Sequence, residues 1–429
     1  MLQDIPLWIM LPWLFTFGAV VGSFANVCIY RLPQRDRLLD QLKGLSWPPS
    51  SCTSCGKRIL FKDNIPIYGW LRLLGKCRFC KSGISPRYPV IELLNGLMFV
   101  GLYLVEIPDH IRYQLSDSVL FHAYGPQTVN VILGNNWLYL RLFYHLVLFE
   151  ALLVATFIDF DEMIIPDGVT LPAMAVGITG AFAIGQVHIV PVWFQNTAEL
   201  QIWKTMLPEF LHSLMSGPDV PNWIISHPHL HGLAVSLCGF VVGGGIVWGV
   251  RLIGFWILRK EAMGFGDVVL MAMIGSFIGW QPVIVVFFLA PICALVVVIL
   301  SLFFRRGSEI PFGPYLSLGT LLLVLGWKQI WPKVNERIFE LGIIVPMLIV
   351  IVGVLLAVCL LFLQLIKKLL GFELYETEEY AEWTSADQLL HFSGEKVEKD
   401  QGNWKKDDWP GLSSGRGSFQ LEQWKNRDS

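Results

Sequence analysis

A chain of 429 residues is long enough for two or three soluble domains, but 54% hydrophobic and only 15% charged residues exclude a wholly soluble protein. The mean hydropathy of +0.54 agrees. A net charge of −2, from 32 basic and 34 acidic residues, argues against a general nucleic-acid binder.

A helix crossing the hydrocarbon core needs about 20 mostly apolar residues. Nine stretches meet or approach that length: 7–30, 90–107, 138–158, 168–190, 232–257, 267–281, 283–304, 314–331 and 341–366. The predicted fold class is all-α, a polytopic membrane helix bundle of about nine transmembrane helices. The first stretch has no basic residue before it and no small-residue cleavage site, so it reads as a retained span. The sixth is short and ends at Gln281-Pro282, which predicts a tight hairpin with the seventh.

Lys and Arg set the orientation. The segment from Arg31 to Pro89 holds 12 basic and 3 acidic residues. In 108–137 the only basic residue is Arg112, and in 191–231 it is Lys204. Arg259 and Lys260, Arg305 and Arg306, and Lys367 and Lys368 follow segments five, seven and nine. With the N-terminus outside, all these clusters share one side, which reads as cytoplasmic. The expected division is a first helix over 1–30, a cytoplasmic cysteine domain over 31–89, a transmembrane core over 90–335, an additional helix over 336–368 and an acidic tail over 369–429. The tail carries 13 acidic and 7 basic residues, with Trp383, Trp404, Trp409 and Trp424 among Gly and Ser. Such a composition predicts disorder.

Four of the eight cysteines form two CxxC pairs, Cys52/Cys55 and Cys77/Cys80, 21 residues apart. Two such turns complete a tetrahedral tetrathiolate shell for zinc, and four sulfurs leave no open position for substrate, so the predicted role is structural. This predicts a small zinc-ribbon-like insert after helix one. Lys57, Arg58, Lys76 and Arg78 favour the thiolate forms. Two disulfides or redox pairs are the competing reading, which a reducing cytoplasm disfavours. Cys28, Cys238, Cys293 and Cys359 stand singly in apolar runs and read as packing residues.

Charges at membrane depth are functional candidates. One acidic cluster, Asp159-Phe-Asp161-Glu162 followed by Asp167, ends segment three; a second, Glu261 to Asp267 with Gly264-Phe-Gly266-Asp267, precedes segment six. Both fall at the predicted cytoplasmic edge. Two carboxylates a few ångströms apart share a proton, so one activates water while the other polarises a peptide carbonyl, the chemistry of aspartic proteases. Gly264 and Gly266 suit close backbone approach beside an extended substrate. Spacing does not choose among Asp159, Asp161 and Asp167, and helix capping by these acids competes, best for Asp167 after Pro166. Glu150 and Arg141 in segment three are further charges with pairing potential inside the bundle. His227, His229 and His231 alternate as metal ligands can, but an ordinary polar loop is the simpler reading. Gly239, Gly243, Gly244 and Gly245 in segment five suit close helix packing.

Several blocks together resemble one family, the type IV prepilin peptidases, membrane aspartic proteases of the GxGD type. They are Gly22 to Pro33, the CxxC pairs flanking Asp63-Asn-Ile-Pro-Ile67, Ile84 to Leu94, Ile158 to Asp167, Gly264 to Asp267 with Gly279-Trp280, and Ile310 to Gly319. The resemblance implies that Asp159 and Asp267 are the catalytic pair, with Asp161 and Asp167 structural. It implies cleavage of the basic leader of type IV prepilins and secretion-system pseudopilins after a glycine, in the bacterial inner membrane with the site at its cytoplasmic face. It further implies N-methylation of the new amino terminus with S-adenosylmethionine. No Rossmann-like glycine fingerprint marks a donor site, and Glu92 is a candidate for donor or amine binding against a plain helix-start acid. Anionic lipid headgroups are the expected partners of the basic loop. The loops 108–137 and 191–231 look enlarged, and the ninth span and tail exceed the usual eight-helix core. Two rival classes remain at this level: a proton- or ion-coupled transporter using Asp159, Asp267 and Glu150, which predicts inverted repeats, and a noncatalytic membrane scaffold.

Overall fold

The computed structural model describes residues 6–35, 37–107, 136–185, 187–192, scattered positions in 201–212, and then 226–258, 263–304, 311–335, 339 and 344–369. Most of the loop 108–137, most of 191–231 and the acidic tail lie outside the described residues. The chain divides into two units, 1–358 and 359–429, and the first carries everything described below apart from the end of the last helix.

The helices are α1 (Leu7–Arg31), α2 (Leu38–Ser46), α3 (Tyr68–Arg72), α4 (Arg87–Glu106), α5 (Asn136–Glu162), α6 (Asp167–Ile184), α7 (Pro228–Leu258), α8 (Phe265–Ile278), α9 (Trp280–Phe304), α10 (Gly313–Leu325), α11 (Trp327–Asn335) and α12 (Ile344–Leu369). Two isolated bridges are the only β pairing among the described residues. Among the described residues seven helices are long and apolar enough to cross a membrane, and α8 and α10 are shorter apolar helices. All nine expected spans are therefore helical. Their outward faces carry large apolar side chains, such as Trp13, Phe17 and Phe24 on α1 and Val350, Leu355 and Phe362 on α12. Lipid, unlike water, rewards such a surface.

Several ends differ from the hydropathy reading, and glycine dihedrals explain two of them. Helix α6 stops at Ile184, not near 190, because Gly185 turns left-handed with φ 79°. The hairpin between α8 and α9 turns at Gly279 (φ 86°), so Gln281-Pro282 sit in the first turn of α9. The eighth span ends at Leu325, and α11 follows as a separate helix whose Trp327 and Trp331 rings stack. Asp159 and Asp161, expected after an apolar run, lie inside the last turns of α5.

Helix α7 packs most extensively on α8, α1 on α4, and α9 on α10, while α5 touches α1, α4, α6 and α10. The glycines of α7 explain the first contact. A Cβ on Gly239 would overlap Gly275 O, one on Gly243 would overlap Met271 O, and one on Gly244 would lie 3.1 Å from Ala272 Cβ. Gly245 faces open space and takes no part. The backbones of α7 and α8 thus touch directly, as small residues allow in membranes.

At the end of the bundle away from the tetracysteine insert, Glu106 accepts from His145 Nδ1 at 2.5 Å and lies 3.6 Å from Arg141 Nε. All three are buried, so the charge expected to pair at Arg141 does so, with a partner that hydropathy did not reveal. Glu150 meets Asn95 Nδ2 at 2.5 Å, and the same nitrogen donates to Gly18 O at 2.9 Å, which ties α5, α4 and α1 together.

Gly239→Ala is expected to cost about 1–3 kcal/mol through overpacking and to lower the melting temperature in detergent, whereas Gly245→Ala leaves it unchanged. Equal melting of the two variants would contradict the direct backbone contact.

Candidate functional site

Three helix ends converge on one place. Helix α5 carries Asp159 in its last turn, and Met163 then turns left-handed (φ 53°) while its N–H donates to Asp159 O at 3.0 Å. This closes the helix and sends the chain through Ile164–Pro166 into α6. Helix α8 starts after Gly264 and carries Asp267 in its first turn. Helix α10 begins at Gly313, with Pro314 fitting the first turn, where no intrahelical N–H partner is lost.

Ile165 lies among these ends. A Cβ on Gly266 would sit 3.2 Å from Ile165 Cβ, and one on Gly313 would sit 3.2 Å from Ile165 Cδ1 and 2.5 Å from Asp159 Oδ2. Asp159 is 5% exposed and Asp267 8%, so both carboxylates are withdrawn from bulk water. They interact electrostatically, with the Gly313 backbone facing Asp159 and the Gly264 backbone facing Asp267. Asp159 Oδ2 is buried and has no hydrogen-bond partner among the described residues. Of the two motif glycines, Gly266 is required by close packing on Ile165. Gly264 is extended (φ −66°, ψ 150°) and exposed, with only Asp267 Oδ2 (3.7 Å) and Gly266 N (4.0 Å) in ordinary contact with its hypothetical Cβ.

The three aspartates that spacing left equivalent are unlike in the fold. Asp161 takes both ends of a guanidinium fork: Arg87 Nη1 donates to its Oδ1 at 2.7 Å, and Nη2 lies 2.6 Å from Oδ2. Arg87 also donates to Phe157 O at 3.2 Å and covers the Phe157 ring, fastening the start of α4 to the end of α5. Asp167 is exposed at the start of α6, where Gln41 Oε1 accepts from Gly168 N at 2.7 Å. Only Asp159 is buried and turned toward Asp267. Arg87, Gln41 and Gly313 had no assigned role in the sequence; the Phe312-Gly313-Pro314 helix start was the one local signal for the last.

The four cysteines of the insert also converge. Their sulfurs lie within 4.8 Å of one another, with Cys52 Sγ 3.7 Å from Cys80 Sγ. A tetrahedral ion with metal–sulfur bonds of about 2.3 Å sets its sulfurs about 3.8 Å apart, so the donor set fits zinc. The two halves repeat one turn. Cys52 N donates to Lys57 O at 3.0 Å and Cys77 N to Ser82 O at 2.8 Å. Each CxxC is followed by a left-handed residue, Gly56 (φ 67°) or Lys81 (φ 61°). Backbone N–H groups of Cys55 and Ser54, with the Ser82 hydroxyl, push the Cys52 thiol down to about 6. Arg78 forks onto Asp63 at 2.6 and 2.5 Å and holds that carboxyl below its usual range, linking the second turn to the short helix at Phe61–Asp63.

Among the described residues the histidine triplet does not gather as metal ligands; His229 and His231 lie in the first turn of helix α7, with His227 just before it. His231 is buried, accepts from Val192 N at 3.0 Å and stacks edge-on against His188. His227 and His229 are exposed and bond elsewhere. Cys28 and Cys293 are buried as expected of packing residues, while Cys238 and Cys359 are exposed on apolar helices.

These features define an integral membrane protein with a buried aspartate pair at one end of its bundle and a tetracysteine module at the same end. Residues 16–105 match the family described as Bacterial Peptidase A24 N-terminal domain, and residues 201–299 match the Type IV leader peptidase family. The second match takes in Asp267; Asp159 lies between the two. A relative from Klebsiella pneumoniae, named prepilin leader peptidase/N-methyltransferase, is 30% identical over 63% of this chain and 85% of its own length. Relatives of the same name from Pseudomonas putida and Aeromonas hydrophila are 29% and 27% identical, each over 73% of this chain and over 90% and 92% of their own. No solved structure matches. The chain belongs to the prepilin leader peptidase/N-methyltransferase family. It is thereby placed among enzymes, and the transporter and scaffold readings lose their support.

Because the atom that a Cβ on Gly313 meets is the end of a side chain, Gly313→Ala should move the Asp159 carboxylate without unfolding the bundle. The melting temperature in detergent is expected to hold while proteolytic activity falls about 100-fold, the scale of a 1 Å misplacement. Unchanged activity would show that Asp159 is not held against Gly313.

Proposed function

We propose that this chain cleaves the basic leader from type IV prepilins and related pseudopilins after a glycine, with Asp159 and Asp267 as the catalytic pair, at the cytoplasmic face of the bacterial inner membrane. The observation that carries this reading is a buried Asp159 carboxylate whose Oδ2 has no hydrogen-bond partner among the described residues and whose charged neighbour is Asp267. A prepilin has a charged head and an apolar stem, so its cut site sits at the membrane boundary. The convergence of helix ends at Asp159, Asp267 and Gly313 supports a site at that depth, and the basic loop 31–89 supports its cytoplasmic orientation.

In this mechanism one carboxylate is ionised and the other protonated. The ionised carboxylate takes a proton from water as the water oxygen attacks the scissile carbonyl. The protonated one donates to the carbonyl oxygen, and collapse of the tetrahedral adduct passes a proton to the leaving amine. Exposed Gly264 leaves room beside Asp267 for an extended peptide, while Gly266 lets Ile165 pack beneath it. The relatives' name includes N-methyltransferase, and we assign this chain the same second step, methylation of the new amino terminus with S-adenosylmethionine as donor. Zinc in the Cys52, Cys55, Cys77 and Cys80 shell would brace the insert, supplying no reactive position. Anionic lipids are the proposed neighbours of its basic surface. The same reading keeps 31–89 as the cytoplasmic cysteine domain, 90–335 as the peptidase core, 336–368 as an additional span and 369–429 as a cytoplasmic tail.

In a membrane leader-cleavage assay, Asp159→Asn and Asp267→Asn should each abolish processing at normal expression, while Asp161→Asn retains a measurable rate. Full processing by either of the first two variants rejects the pair. Purified protein should carry about one zinc per chain, as a tetrathiolate site requires. Cys52→Ser should reduce that content, and metal-free wild type with full activity would remove zinc from the account.

A further inference from the structure

Asp159 sits in the last turn of α5, where helix carbonyls lose their intrahelical partners and the turn frays unless something holds it. From that turn the chain runs through Met163 and Ile165 into α6. Side chains from elsewhere grip it at both ends, at 157–161 and at 168. Both grips come from the segment 31–89.

The first is Arg87, at the start of α4. Its Nη1 and Nη2 meet the two oxygens of Asp161 at 2.7 and 2.6 Å, Nη2 also donates to Phe157 O at 3.2 Å, and the guanidinium lies 5.2 Å from the Phe157 ring centre. Residues 157 and 161 are four apart and share one face of α5. Asp159, two residues from each, projects from another face. Arg87 therefore holds the turn that carries Asp159 and not the carboxylate itself. Both side chains of the fork are 39% exposed, and an ion pair so open adds little to stability. What a bidentate fork does supply is direction.

The second is Gln41, on α2. Helix α6 starts after Pro166, which offers no side-chain cap. Gln41 Oε1 takes that place, accepting from Gly168 N at 2.7 Å, while Gln41 Nε2 donates to Arg35 O at 2.7 Å. Gln41 is buried, and a Cβ on Gly168 would lie 2.5 Å from its Oε1, so the glycine is what admits it. Helix α2 is itself tied to α1, because Arg31 Nη1 donates to Gly44 O and Leu45 O at 3.1 and 3.3 Å. Between the two grips lies Ile165, against which Gly266 of the Asp267 motif and Gly313 beside Asp159 both pack.

We propose that Arg87 and Gln41 are positioning residues for peptide cleavage: with the chain held at 157–161 and at 168, the stretch between keeps Asp159 in register with Asp267. The proposal rests on the aspartate-pair reading above. A carboxylate pair acts on one water and one carbonyl only while its geometry is held, and a displacement of about 1 Å can cost about 100-fold in rate. Neither residue needs to reach the substrate, so turnover and not binding carries the effect.

The test measures kcat and KM for leader cleavage by full-length protein in nanodiscs, per folded molecule and well below the melting temperature. Arg87→Gln should lower kcat about 10- to 100-fold and Gln41→Leu about 10-fold, with KM within about twofold of wild type, as lost alignment without lost binding requires. Arg87→Lys, which keeps the charge without the fork, should fall between Arg87→Gln and wild type. In an Asp161→Asn background Arg87→Gln should cost less than it does in wild type, since the two residues act through one contact. Wild-type kcat in a folded variant overturns the role of the residue replaced. A loss confined to KM overturns positioning, and equal losses from Arg87→Gln in both backgrounds overturn the link through Asp161; each of these leaves the aspartate pair standing. If Arg87→Gln does not fold, Arg87→Lys and Gln41→Leu decide by the same measurements. Full cleavage by Asp159→Asn would instead reject the pair, and this proposal with it.

Discussion

Two carboxylates buried side by side resist ionising together, and this bundle must bring those of Asp159 and Asp267 together regardless. A free helix pair would relax the repulsion by sliding apart. Here each end is fixed separately: α8, which carries Asp267, lies backbone to backbone against α7 through Gly275 and Gly239, and Gly313 opens α10 against the Asp159 carboxylate. Close packing of this sort is stiff because no side chain intervenes to adjust its rotamer. The scaffold therefore supplies the constraint that keeps two buried acids as neighbours.

Charge elsewhere in the bundle obeys the opposite rule. Glu106 lies with His145 and Arg141, Asp161 is held by Arg87, and Asp63 is held by Arg78. Each acid is neutralised by a partner that also joins two segments. Of these only Glu106 with His145 and Arg141 is fully buried, and removing one member of a buried pair commonly costs about 3–5 kcal/mol. Against this background Asp159 stands apart: its Oδ2 has no hydrogen-bond partner among the described residues, and its charged neighbour is a second buried acid, Asp267.

Much of this was legible in the residues, and the part that was not has a physical reason. Hydropathy finds spans because lipid selects apolar surface over a length set by the bilayer. It does not find helix ends, which are set by single dihedrals at Gly185, Gly279 and Met163. The tetracysteine module was readable because its ligands come in two local turns of four residues. The aspartate pair was half readable: Asp159 and Asp161 sit two residues apart in similar sequence, and what separates them is Arg87, 74 residues away. Gly313 was invisible for the same reason, since its importance lies in what it touches and not in what precedes it.

The same logic bears on why the tetracysteine module sits where it does. A four-sulfur shell saturates its metal, so the module has no chemistry of its own to bring to the peptide. What it does have is rigidity close to the membrane, in a segment otherwise made of short turns, where a helix of only five residues (Tyr68–Arg72) would not hold by itself. Within that segment Ile67 is left-handed and its N–H donates to Glu92 at 2.6 Å, which ties the insert to α4. An insert that merely oriented the chain would need its positive charge and nothing more.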